Sequence, residues 1–123
     1  MNELIHWLFG PQLVGLVMLI AGYIQKASPP KKVNELYGYR TQSSMRNQQT
    51  WDLGNSYAAQ LMINMGFIAI VIGLLLTRVI DMKHEYFMGV ATVVAAIAIA
   101  IILRQATENK LKNTFDKDGN AIL

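Results

Sequence analysis

Leu53-Gly-Asn-Ser-Tyr-Ala-Ala-Gln-Leu-Met-Ile-Asn-Met-Gly-Phe-Ile-Ala-Ile-Val-Ile-Gly-Leu-Leu-Leu-Thr77 runs from Asp52 to Arg78 without a single charged residue. Two similar gaps flank it, between Glu3 and Lys26 and between Glu85 and Arg104. Each gap holds about 18 to 25 residues, the length an α-helix needs to cross roughly 30 Å of hydrocarbon. The pattern predicts an all-α integral membrane protein with three transmembrane helices, over about residues 8–24, 57–76 and 86–103. Composition agrees: of 123 residues 53% are hydrophobic and 15% charged, and the mean hydropathy is +0.29. That is an unusual balance for a soluble domain, and the length suits one domain over 1–123.

Within the first window, Trp7 and Tyr23 lie near the ends, where amphipathic rings prefer the headgroup zone. Pro11 falls in the first turn, and Gly15 and Gly22 are seven apart on one face. Gly66 and Gly73 repeat that spacing in the second window. Small residues there let helices approach closely, so these four glycines are predicted packing positions. Gln60 and Asn64 also share a face, and amides in hydrocarbon need partners. They are expected to look into the bundle or a subunit interface. The third window, rich in Ala, Ile and Val, reads as a packing element. The tail after Arg104 is expected to stay helical for a turn or two and then fray, with a turn at Asp116-Lys-Asp-Gly-Asn120.

Lys and Arg counts set the orientation. The first loop holds Lys26, Lys31, Lys32, Arg40 and Arg46, and the tail Arg104, Lys110, Lys112 and Lys117. These nine face only Arg78 and Lys83 in the second loop. The first loop and C-terminus are therefore expected in the cytoplasm and the N-terminus outside. The net charge of +3 belongs beside the lipid headgroups of the bilayer and is no nucleic-acid signature. Cysteine is absent, which removes disulfides, thiolate metal sites and a Cys nucleophile. Met1-Asn-Glu3 lacks a basic n-region, so the first run is read as retained rather than as a cleaved signal.

Most of the distinctive chemistry lies in residues 34–55: Asn34, Tyr37, Gly38, Tyr39, Arg40, Thr41, Ser44, Asn47, Trp51 and Asn55. Ala27-Ser-Pro-Pro30 stops the first helix, and Ser44 is a predicted N-cap for a helix starting near Met45. Glu or Gln is missing three residues later, so no full capping box is expected. Asn47, Trp51 and Asn55 follow at four-residue steps along one helical face. Gly38 between two tyrosines permits a tight turn, so the Tyr-Gly-Tyr-Arg-Thr loop is predicted to fold back on that face. Trp51 would sit at headgroup depth. Arg40 would hold a phosphate, a carboxylate or helix-end carbonyls. The first reading of the segment is a structural cap pinning helix ends, with Arg40 as a lipid anchor; the second is a binding surface. In the second case Arg40→Ala or Trp51→Ala is expected to abolish activity without stopping membrane insertion.

Asn34-Glu-Leu-Tyr-Gly-Tyr-Arg-Thr41, followed by Ser44-Met45, Asn47, Trp51 and Asn55, resembles the signature of the SdpI family of bacterial membrane proteins. The longer members are similar here but carry extra membrane helices ahead of this domain. The resemblance implies a multi-pass protein of the bacterial cytoplasmic (inner) membrane. The family is named for an immunity protein that protects a cell from its own killing peptide and sequesters a cytoplasmic repressor. Expected partners are thus the bilayer and a peptide toxin or a cytoplasmic regulator. Because three helices bury little, a homodimer is a further candidate. The rival readings are a holin-like pore former and a structural membrane-complex subunit. An enzyme is not expected: His6 and His84 stand alone at the interfaces, with no paired carboxylates and no ionisable residue inside a span. Asp81, His84 and Glu85 read as a solvated loop, and neither metal nor cofactor is expected.

Overall fold

The computed structural model describes residues 2–122. Its helices are α1 (Glu3–Leu8), α2 (Pro11–Ala27), α3 (Gln48–Val79) and α4 (Glu85–Thr114), with a single 3₁₀ turn at Met82–His84 before α4. Two of them, α3 and α4, are long and apolar enough to cross a membrane. The first predicted helix is instead split. Asn2 caps α1 by accepting from the Ile5 amide, and the chain leaves the helix at Phe9 and restarts at Pro11. Proline has no N–H to give to a preceding turn and fits the first position of a new helix. The resulting α2 has 17 residues, a length of about 26 Å.

Helices α2 and α3 run antiparallel in close contact, and the four glycines lie in the seam. A methyl on Gly15 would sit 2.5 Å from the Gly66 carbonyl oxygen, and one on Gly66 would sit 2.8 Å from that of Gly15. Gly22 meets Ala59 and Ile63, and Gly73 meets the backbone of Gln12. Backbone thus touches backbone along the seam, the packing that dispersion favours where no water is displaced. At the end near α1, buried Gln12 donates to the Trp7 carbonyl at 2.8 Å and to the Thr77 hydroxyl at 3.0 Å. Helix α4 adds Met88, Ile99 and Leu111 to a narrow core. Large apolar side chains such as Phe67, Val71, Leu75, Ile97 and Ile101 point outward. An apolar exterior around a small core is what a hydrocarbon surrounding rewards.

Several expectations change. Helix α3 begins at Gln48, and its cap is Asn47, not Ser44. A capping box does form, closed by Thr50: Asn47 Oδ1 accepts from the Thr50 amide at 2.9 Å, and Thr50 Oγ1 accepts from the Asn47 amide at 3.1 Å. Ser44 is unavailable because its hydroxyl is already bonded to Thr41 N and the Tyr39 carbonyl. Gln60 and Asn64 lie on the exposed side of α3, bonded to each other at 2.9 Å; of the two expected settings, the chain's own bundle is not where they point, and exposure suits a subunit interface. The glycines and alanines occupy the seam, where a long amide would hold the helices apart. His6 is buried within the protein. The tail does not fray: α4 continues to Thr114, and Phe115 pairs with Ala121 across a turn that Gly119 allows at φ +82°.

Candidate functional site

The segment 28–47 crosses the end of the bundle as a polar roof, and Asn55 is its keystone. Its Oδ1 accepts from the Tyr39 amide at 2.5 Å and from Gln25 Nε2 of α2 at 3.0 Å. Its Nδ2 donates to the carbonyls of Trp51 and Tyr39 at 3.0 and 3.3 Å. One buried amide therefore ties loop, α2 and α3 together with every hydrogen-bonding group satisfied. Gly38 makes the approach feasible: its φ is +106°, and an added methyl would lie 2.5 Å from Asn55 Oδ1 and 2.7 Å from Pro30 Cγ.

The other motif residues brace the same loop. Asn34 Oδ1 accepts from the amides of Leu36 and Tyr37, and the Tyr37 hydroxyl donates to the Ser28 carbonyl at 2.8 Å. Thr41 and Ser44 close a turn through reciprocal side-chain bonds. Trp51 is wholly buried, with Nε1 donating to the Pro30 carbonyl at 2.6 Å. The ring lies under the loop, and its N–H finds its acceptor there. Trp51→Phe should keep the roof in place but leave the Pro30 carbonyl unpaired, at a cost of about 1–3 kcal/mol. Thermal unfolding in detergent would read this as a lowered Tm, and an unchanged Tm would count against the bond.

Residues outside the sequence motif complete the site. The half-buried Tyr39 hydroxyl donates to Glu108 Oε1 at 2.6 Å, joining the roof to α4. Burial raises its pKa above the ordinary tyrosine range, and the bond and negative charge of Glu108 act the same way. The phenol thus remains a donor at all physiological pH values. The C-terminal turn docks beside it, with Asn47 Nδ2 donating to the Gly119 carbonyl at 2.7 Å and Arg46 to that of Asp116 at 3.3 Å. The parts played by Gln25 and Glu108 and the docking of this turn escaped the sequence reading, because each is a tertiary contact between separate elements.

Other side chains of the loop stand apart. Leu36 is 91% exposed, and Glu35, Arg40 and Gln42 are exposed with no hydrogen bond to a described residue. Among the described residues no group of three His, Cys, Asp or Glu could hold a metal ion.

Comparison with known proteins places these features. The model of the SdpI/YfhL protein family matches residues 31–104, which contain most of the roof, α3 and the apolar part of α4. The chain belongs to the SdpI/YfhL protein family. It is similar to the uncharacterized protein YfhL of Bacillus subtilis (strain 168), 39% identical over 98 residues that cover 80% of this chain and 82% of that protein. No solved structure matches it. Two long apolar helices and membership of this family mark the chain as a membrane protein.

Proposed function

We propose that this SdpI/YfhL-family chain is a non-catalytic immunity or signalling protein of the bacterial inner membrane, and that its roof recognises a toxic peptide or a cytoplasmic regulator. In this reading α2, α3 and α4 all cross the bilayer. The nine Lys and Arg residues of the first loop and tail, against two at the opposite end, hold the roof in the cytoplasm.

The observation that carries the reading is a division of labour inside the motif. Asn34, Gly38, Thr41, Ser44, Asn47, Trp51 and Asn55 are committed to bonds or close packing within the protein. Leu36 and Arg40 are held out to solvent by that scaffold, an apolar contact and a forked cation on the same loop. A bare cap needs neither, whereas a peptide surface offering an apolar side chain and a carboxylate fits both.

The test follows from that division. A Leu36→Ala/Arg40→Ala double variant should lose toxin protection or partner recruitment at least tenfold while keeping the wild-type Tm and membrane yield. Full activity in that variant would reduce the roof to a structural cap. Trp51→Ala is unsuited to the question because it empties the interior.

A further inference from the structure

A cleft of about 520 Å³ opens beside the roof, where the end of α2 meets the start of α3. Its charged lining is Lys26, in the last turn of α2, with Lys31 just past the double proline and Asp52 on the opposite wall. Two cross-links frame it. Gln48 Nε2 donates to the Lys31 carbonyl at 2.5 Å and to Asp52 Oδ1 at 2.7 Å. Lys26 Nζ donates to Gln60 Oε1 at 2.7 Å. Buried Gln25 and Asn55, bonded to each other, also line the cleft.

Below the cleft the surface of α3 is unusual for a membrane helix. Gln48, Asp52, Ser56, Gln60 and Asn64 recur at four-residue steps, and all five are exposed. They form a polar ridge that starts at the charged rim and descends into the charge-free part of the helix. Exposed amides in hydrocarbon are unfavourable unless something accepts their protons. Gln60 and Asn64 answer each other once, which leaves further amide N–H groups facing outward.

We propose that this cleft binds one aminophospholipid, a phosphodiester carrying a primary ammonium. Lys26 and Lys31 take the phosphate, Asp52 takes the ammonium, and the amides of Gln60 and Asn64 donate to the glycerol ester carbonyls below. Along α3, Asp52 at the rim and Gln60 and Asn64 below it follow the lipid from its outermost ammonium to its ester carbonyls, and the two lysines stand on the facing wall. Gln60 stands about 12 Å along the helix from Asp52, at 1.5 Å per residue. A choline headgroup has no N–H to give to Asp52, and a glycerol headgroup has no positive charge. The cleft should therefore prefer ethanolamine to both. The assignment rests on the helices crossing the membrane but is independent of what Leu36 and Arg40 recognise.

The test uses the full chain purified in detergent and exposed to equal amounts of phosphatidylethanolamine, phosphatidylglycerol and phosphatidylcholine, read by native mass spectrometry. One ethanolamine lipid per chain should be retained, at least fivefold over the other two. Lys26→Gln/Lys31→Gln should lose retention of all three about tenfold, and Lys26→Arg/Lys31→Arg should restore it. Asp52→Asn should retain phospholipid but lose the preference for ethanolamine. Equal retention of all three by the wild type, or a preference untouched by these variants, would overturn the proposal. So would efficient displacement by soluble glycerophosphoethanolamine, which would mark a site for the free phospho-amine. A doubled mass without lipid would instead assign the face to a second copy of the chain. Partner recruitment through Leu36 and Arg40 is scored in the same variants, so failure of the lipid site and failure of the roof are told apart.

Discussion

Asn55→Ala should give the largest loss of stability of any single polar substitution in this protein. It removes the acceptor shared by the Tyr39 amide and Gln25 Nε2, and the donor to two carbonyls. Each orphaned buried group costs about 1–3 kcal/mol, so the Tyr39 amide and Gln25 Nε2, left without an acceptor, imply about 2–6 kcal/mol. The expected readout is a Tm well below wild type in detergent, with fast hydrogen exchange at the Tyr39 amide as the loop lifts away. Asn55→Asp keeps the two acceptor bonds but turns the donor edge into a carboxylate oxygen facing carbonyls, and it should fare little better. A Tm within a degree of wild type for Asn55→Ala would show that the roof is held elsewhere, with Trp51 and Tyr39 the next anchors.

Gly15→Ala should disrupt the bundle although it adds only one methyl group. That methyl would stand 2.5 Å from a backbone oxygen of the facing helix, and backbone cannot rotate aside as a flexible side chain can. The two helices must separate, breaking contact from Gln12 to Gly22, so the cost should exceed the usual 1–3 kcal/mol of overpacking. Gly66→Ala, blocked from the other side at 2.8 Å, should behave alike. Gly89→Ala is the control, since nothing lies within 4 Å of the added atom and alanine favours a helix by up to about 1 kcal/mol. Folded yield in membranes and Tm should fall sharply for the first two and hold or rise for the third. Three equal outcomes would mean that the seam is not formed by these glycines.

The sequence reading and the structure agree or part for identifiable reasons. Charge-free windows and glycine spacing were legible because they report local facts: what one helix can bury and where its thin face lies. Asn55 and Gly38 were legible too, being a polar group entering an apolar run and a glycine between two rings. The start of α3 was misplaced by three residues because Ser44 and Asn47 are both good caps. The choice between them depends on the hydroxyl of Ser44 being occupied by Tyr39 and Thr41.

By itself, the chain's pattern of charge and apolarity determined that it is a helical membrane protein, and the string from Asn34 to Asn55 determined its family. Tertiary structure alone decided which motif residues are spent on holding the roof and which remain free. It also brought Gln25, Glu108 and the C-terminal turn to that roof, and turned Gln60 and Asn64 outward beside Lys26. Periodicity along one helix fixes which residues share a face, but not which face the neighbouring helix covers. That second choice is made by backbone contact at the glycines, between residues dozens of positions apart.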